Sequence, residues 1–382
     1  MATSSTPLRA LPNIEHQTPK IGSIFNRATR PVRAMAKTAV FFLKVFPMLP
    51  SKPIDWVTKT PVIQKVNYPS TSGLVEAELY RPSTNGPHPG ILVCLGVVPF
   101  GVDHPQVPVL GKALARAGFV TLLYWSPAMR DFRLDPEDLE NIPLAYNWLI
   151  KQPYVDPTRS GLLGTCVGGS FALMAAADHL IRDHVAFLSA YAPFSSMNTF
   201  ARDIASASCS HEDGRKPWTV DQLTHKVFVQ SLTAVLEAEE AERIRNAVIE
   251  GNGQLEVSSL SADGQAVYAL LSAQDEYDAE KALQDLPQNM HERLTTLSPM
   301  NYLKNVRAPL IVLLHDRGDQ VIPIGESQRL VAALDGYPGV HYTEMQFSHL
   351  DPVKGKLPFF RLLREFGKFI LAVYPLFRQA VV

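Results

Sequence analysis

The chain is 382 residues long, 46% hydrophobic and 19% charged, enough apolar material for one large domain or two ordinary ones, which excludes a disordered or low-complexity chain. With 36 Lys and Arg against 37 Asp and Glu, the formal charge is -1, so the whole chain has no electrostatic footprint for nucleic acid. Three cysteines, Cys94, Cys166 and Cys209, are too few for a disulfide scaffold or a Cys-rich zinc site.

The charge is uneven along the chain. Residues 1–52 hold eight Lys or Arg and a single acid, Glu15, a formal +7, which leaves -8 on the remainder. The apolar stretch 38–50 is too short to span a bilayer and is interrupted by Lys44 and Pro47. A basic region of this length also argues against a secretory signal. Three readings of this extension stand side by side: an organelle transit peptide, a helix that touches a membrane peripherally through residues 38–50, and an extension that packs on the domain. No run of about 18 apolar residues occurs elsewhere, so the chain reads as soluble. A cytoplasmic location is expected, with organelle or membrane-peripheral placement as the alternatives that the extension carries.

Strand signals follow at 61–68, 73–80, 90–95, 118–124, 160–166, 184–192, 309–314 and 340–347. The first two alternate and end in turn residues, as in an antiparallel edge hairpin; the third to seventh are nearly continuous apolar runs, as in strands buried on both faces. Helical patterns lie between them, one opening at Asp135-Pro136-Glu137-Asp138 with a capping side chain, a proline and first-turn acids. This alternation predicts an α/β fold with a mostly parallel eight-stranded sheet flanked by helices. Between residues 195 and 306 no strand is evident and helical patterns dominate, including one predicted over 227–249, so a helical cap is expected after the sixth strand. The expected organisation is therefore a basic extension over 1–52, a core over 53–194 and 307–382, and a cap over 195–306.

The fifth strand runs into Gly164-Thr165-Cys166-Val167-Gly168-Gly169-Ser170 and then a good helix. A strand that turns sharply into a helix needs glycines where backbones crowd, and it holds its middle residue exposed above the sheet. A thiol there sits at a helix N-terminus, where the dipole favours the thiolate. A buried structural cysteine in a Gly-rich turn is the plain alternative. Two partners further along the chain favour nucleophilic chemistry. Asp319 lies in the loop after the strand at 309–314, and His349 follows the last strand, so nucleophile, acid and histidine come in the order that converges at the carboxyl end of such a sheet. In these roles His349 takes the thiol proton and Asp319 fixes its tautomer. Asp316 competes for the acid role from the strand's end. His315 precedes both acids, and His341 precedes the last strand, which puts it at the wrong end. Charge on a substrate carbonyl needs two backbone N–H donors: Val167, next after the nucleophile, and Val97 in the loop after the third strand, with Val98 second.

On these residues the chain resembles the α/β-hydrolase superfamily, and its Cys elbow with Asp and His resembles the dienelactone hydrolase family over about 60–194 and 307–375. The resemblance implies hydrolysis of an ester, lactone or thioester through an acyl-cysteine on Cys166, Asp319 and His349, with a small-molecule acyl substrate and with no metal or cofactor. The chain departs from that family in having valine where an acid is expected after the third strand, and in its long insertion; both suit a larger or more apolar acyl group. Gly-x-Cys-x-Gly-Gly-Ser is also similar to the elbow of polyhydroxyalkanoate synthases. Acyl transfer to an amine, thiol or alcohol is thus an alternative, as is a binding protein on a hydrolase scaffold. The oligomeric state is left open.

Overall fold

A computed structural model of the chain describes residues 21–46, 52–98, 104–211, 214–251, 255–346 and 359–381. In chain order the helices are α1 (Ile21–Val45), α2 (Lys52–Val57), α3 (Gln106–Ala117), α4 (Pro127–Arg130), α5 (Asp138–Ile150), α6 (Val167–Ala175), α7 (Met197–Ala205), α8 (Gln222–Thr233), α9 (Ala238–Ile249), α10 (Ala262–Leu271), α11 (Glu276–Gln284), α12 (Gln288–Thr296), α13 (Ile324–Ala333) and α14 (Phe359–Phe377). The strands are β1 (Val62–Ser70), β2 (Gly73–Arg81), β3 (His88–Cys94), β4 (Val120–Tyr124), β5 (Val155–Thr165), β6 (Phe187–Tyr191), β7 (Ser208–His211), β8 (Gly214–Pro217), β9 (Ile311–Asp316) and β10 (Val340–Met345).

Each of the eight expected strand segments contributes to one sheet, in the order β1-β2-β4-β3-β5-β6-β9-β10. β1 and β2 form the antiparallel edge hairpin and β2 also runs antiparallel to β4; every other pairing is parallel. The continuous apolar runs feed two cores at once, because successive side chains point to opposite faces. Leu92 and Leu313 join the layer of α5, α6 and the insertion, whereas Ile91, Val93, Val312 and Leu314 join the layer of α1, α3 and α14. From β3 the chain leaves toward β4, and from β5 it leaves in the opposite direction toward β6. Their carboxyl ends are adjacent while their connections diverge, which opens a crevice between them.

The described part of the extension is a long helix that completes the second core. Ala34, Phe41, Phe42 and Phe46 are buried. Phe41 meets Phe377 at 5.1 Å between ring centroids, and Phe42 stands edge-on to Phe366 at 4.9 Å. The apolar face of 38–46 is thus a core face; residues 47–50 lie outside the described residues.

The insertion after β6 differs from expectation in two details. The single helix predicted over 227–249 is two, α8 and α9, because Glu237 is extended (φ -57°, ψ 143°) and a new first turn begins with Glu239 and Glu240, where acids favour a helix N-terminus. A small antiparallel hairpin, β7–β8, occurs where no strand was evident. Its residues are small and polar and lack alternation, and it is held by the Arg215 guanidinium, which donates to the Ser208 carbonyl at 2.8 Å and pairs with the buried Asp203 at 2.9 Å.

Candidate active site

Cys166 is the residue between β5 and α6, with φ 56° and ψ -135°, a conformation that costs an L-residue energy and persists only where its surroundings enforce it. The enforcement is visible in the main chain. The Cys166 amide donates to the Tyr191 carbonyl at the end of β6 (2.8 Å), and the Thr165 hydroxyl donates to the Leu95 carbonyl beyond β3 (2.8 Å). A Cβ on Gly164 would lie 2.4 Å from the Gly168 carbonyl oxygen, and one on Gly168 would lie 2.3 Å from the Cys94 carbonyl oxygen and 2.5 Å from the Gly96 amide nitrogen. The glycines at these positions therefore let β5, the elbow and the loop after β3 pack backbone against backbone. The same packing brings Val97, from that loop, and Val167, the first residue of α6, to the wall of the cavity that holds the half-buried Cys166.

Asp319 is buried in the loop after β9. Its Oδ1 accepts hydrogen bonds from the amides of Val321 (2.7 Å) and Ile322 (3.0 Å), and its Oδ2 lies 3.6 Å from His315 Nε2. Val321 and Ile322 line the Cys166 cavity, so the loop that holds this carboxylate also forms part of the site. The Tyr191 phenol feels both ends of the arrangement: burial, with the Asp319, Asp316 and Cys166 charges behind it, pushes its pKa far up and keeps it protonated. His349 and Ser348 lie outside the described residues.

Both ring nitrogens of the fully buried His315 are engaged, Nδ1 with the Ser327 hydroxyl (2.6 Å) and Nε2 with the Ile322 carbonyl (2.9 Å). Asp316 ends β9, and its Oδ1 accepts the Gly318 amide at 2.7 Å. His341 sits at the amino end of β10, paired with Val312, the full length of the strand away from the crevice. Among the other thiols, burial drives the Cys94 pKa far above the ordinary range and also raises that of Cys209, so both stay protonated.

Over Cys166 lies a tight apolar cavity of about 30 Å³. Its floor is the core: Cys166, Val167, Val97, Val321 and Ile322. Its roof comes from the insertion, chiefly Met197, Phe200 and Ile204 of the α7 segment and Val227 and Phe228 of α8, joined by Leu134 from the loop between β4 and α5. Two hydroxyls reach the lining, and both already serve the backbone. Thr224 donates to the Val321 carbonyl (2.9 Å); Ser231 donates to the Val227 carbonyl (2.6 Å) and accepts the Leu134 amide (2.9 Å). The chemistry on offer is one thiol beneath a hydrocarbon chamber. No sequence signal marked Leu134, Phe200 or Ile204 as site residues. On its other side Cys166 borders a larger cavity of about 420 Å³, whose described walls run from Thr165 and Val97 to Phe41 and Val45 of α1 and to Phe369 and Val373 of α14.

No family model matches the chain. Over 102 residues it is 32% identical to an uncharacterized 31.7 kDa protein in the traX-finO intergenic region of Escherichia coli; the match covers 25% of this chain and 35% of that protein, so the chain spans about a third of the curated relative's length. Among solved structures, that of 2,6-dihydroxy-pseudo-oxynicotine hydrolase is 13% identical with a TM-score of 0.51 and covers 87% of this chain and 70% of its own. Pyrococcus horikoshii acylaminoacyl peptidase is 16% identical with a TM-score of 0.50 and covers 84% and 43%. These likenesses are of fold: the chain has the α/β-hydrolase fold, with its eight-stranded sheet and the helical insertion after the sixth strand.

Proposed function

We propose that the protein hydrolyses esters, lactones or thioesters of apolar acyl groups through an acyl-cysteine on Cys166. The observation that carries this reading is the left-handed backbone of Cys166 at the N-terminus of α6, on the floor of an apolar cavity. In the reaction, the Cys166 thiolate attacks the substrate carbonyl carbon, and the N–H groups of Val167 and Val97 receive the oxyanion. Collapse breaks the bond to the alkoxide or thiolate, which takes its proton from the His349 imidazolium; His349 then deprotonates a water that attacks the thioester, releasing the acid and the thiol. Asp319, already fixed by two amides, orients His349 and balances its charge. The names of the two fold neighbours, a hydrolase and a peptidase, accord with acyl cleavage.

The test is intact-mass analysis after mixing with a panel of straight-chain p-nitrophenyl esters and thioesters, alongside release of free acid. A single acyl adduct on Cys166, lost in Cys166→Ala together with at least about a 10³-fold fall in turnover, is expected. An adduct that clears only when an amine, thiol or alcohol is added identifies acyl transfer instead. A Cys166→Ala protein that still turns esters over refutes the reading, and no adduct with any ester leaves a binding protein.

A further inference from the structure

With the aromatics of 38–46 turned inward, the outer surface of the same helical layer has a different character. Along α14 the buried positions Glu365, Phe366, Ala372, Val373, Leu376 and Phe377 define an inner face. The opposite stripe, at helical spacing, is Leu363, Arg364, Leu371 and Arg378. Leu363 and Leu371 are 58% and 66% exposed. The neighbouring α1, which reaches α14 at the Tyr374 hydroxyl to Pro31 carbonyl bond of 3.5 Å, has Val32 at 72% exposure on its outer face, followed one turn on by Met35. At the other end of α1, α2 displays Trp56 at 84% exposure together with Val57. A folded chain does not gain from leaving leucine, valine and tryptophan side chains in water, and several on one layer mark a contact surface.

The charge around them selects the partner. α1 carries five basic residues and no acid, and α14 three basic residues and one acid. That acid, Glu365, is buried and paired with Lys368 at 2.9 Å and, more loosely, with Arg364 at 3.6 Å, leaving α14 with a net charge of +2. Two of the α1 cations are engaged by the protein itself: Lys37 donates to the Ala117 carbonyl at 2.7 Å, where burial pulls its pKa down to about 8, and Lys44 pairs with Asp55 of α2 at 2.7 Å. Beyond residue 52 the chain is acidic as a whole, so the basic helices α1 and α14 stand out from it. A helix layer with apolar side chains standing among arginines fits the boundary between acyl chains and anionic headgroups, where tryptophan and arginine are both favoured. No helix among the described residues is long and apolar enough to cross a membrane, so the attachment is peripheral.

We propose that the outer face of α1 and α14 docks on an anionic lipid bilayer. The inner faces of these two helices wall the large cavity that reaches Cys166; a docked molecule thus sets that cavity beside its source of acyl chains, a consequence that rests on the acyl-cysteine reading, whereas docking itself does not.

Co-sedimentation of the full chain with vesicles of phosphatidylcholine, and of phosphatidylcholine with about 30% phosphatidylserine, separates the two ideas because it reads binding without turnover. Binding to the anionic vesicles, weakened at least about tenfold by 0.5 M salt and by Arg361→Glu with Arg364→Glu, is the expected result. Leu363→Ser with Leu371→Ser should weaken it comparably while far-UV circular dichroism and soluble-ester turnover stay unchanged. Absence of binding to anionic vesicles, equal binding to both vesicles, or binding that survives both pairs of substitutions overturns the proposal. So does concentration-dependent self-association, abolished by the leucine pair, in a protein that ignores vesicles, which would make a second copy of the chain the occupant.

Discussion

The floor and the roof of the Cys166 cavity are built by different means. The floor is main chain against main chain: a strained elbow, glycines with carbonyls 2.3–2.4 Å from where a Cβ would sit, and a carboxylate held by two amides. The roof is side-chain volume from separate segments, Leu134 on a core loop and Met197, Phe200, Ile204 and Phe228 on the insertion. A main-chain floor admits almost no variation, because moving it breaks several backbone contacts at once. A side-chain roof can be reshaped one residue at a time, so the reaction should be fixed by the floor and the acyl group by the roof.

The floor should therefore fail sharply when its chemistry is altered without altering its shape. Asp319→Asn keeps an oxygen for the Val321 and Ile322 amides but loses the charge. A fall in kcat/KM of about 10³–10⁴-fold with little change in stability is expected, measured on soluble esters beside urea unfolding. Asp316→Asn, with its carboxyl bonded to the Gly318 amide, should leave the rate within a few fold; the reverse pattern would move the acid role to Asp316. Next in size, Gly168→Ala forces a methyl against the Cys94 carbonyl and should cost at least about 3 kcal/mol or prevent soluble expression. Gly169→Ala, whose Cβ would meet the Ala190 Cβ at 3.2 Å, should cost far less. Equal tolerance at the two glycines would mean that backbone contact does not fix the elbow.

This difference in construction also explains what could be seen in the sequence. A main-chain device leaves a local signature: Gly164, Cys166 and Gly168 fall within five residues, and the inner strands β3–β6 and β9 carry nearly continuous apolar runs. Asp319 stands out by its place after a strand. The roof has no such signature, since Leu134, Phe200 and Phe228 come together only by tertiary packing and each resembles an ordinary core residue. The β7–β8 hairpin was equally hidden, because its strands Ser-Cys-Ser-His and Gly-Arg-Lys-Pro are held by a guanidinium and not by an apolar face. The extension is undecided in the sequence for another reason: its amphipathic pattern is real, but periodicity cannot say whether the apolar face meets a bilayer or α14.

At the seam between floor and roof sits a titratable lock. Asp138 is buried, accepts the Tyr124 and Ser126 hydroxyls at 2.5 Å each, and closes the loop that carries Leu134 to Ser231. Burial pushes its carboxyl up from 3.8 to about 6, against the opposing pull of those hydroxyls. The folded chain thus keeps this proton to a higher pH than the unfolded chain does. Stability from this group is greatest below about pH 4 and falls by about 3 kcal/mol as pH rises through 6. Asp138→Asn should flatten that fall in urea midpoints between pH 4 and 7; an unchanged slope would show that Asp138 does not set it.

The roof should respond in kind rather than in amount. Phe228→Leu removes ring volume above Cys166 while keeping an apolar side chain, so it lengthens the chamber without wetting it. Ile204→Phe, on the α7 side, shortens it. Because one methylene in an apolar pocket is worth about 1–3 kcal/mol, the first change should move the best straight-chain ester one or two carbons longer and the second a similar step shorter. The ratio of kcat/KM between adjacent chain lengths should change about tenfold, with the peak rate largely kept. Profiles of kcat/KM against chain length would show this directly. If both variants keep the parent profile and lose rate at every length alike, the roof only shields the thiol from water, and acyl selection has to come from the larger cavity toward α1 and α14.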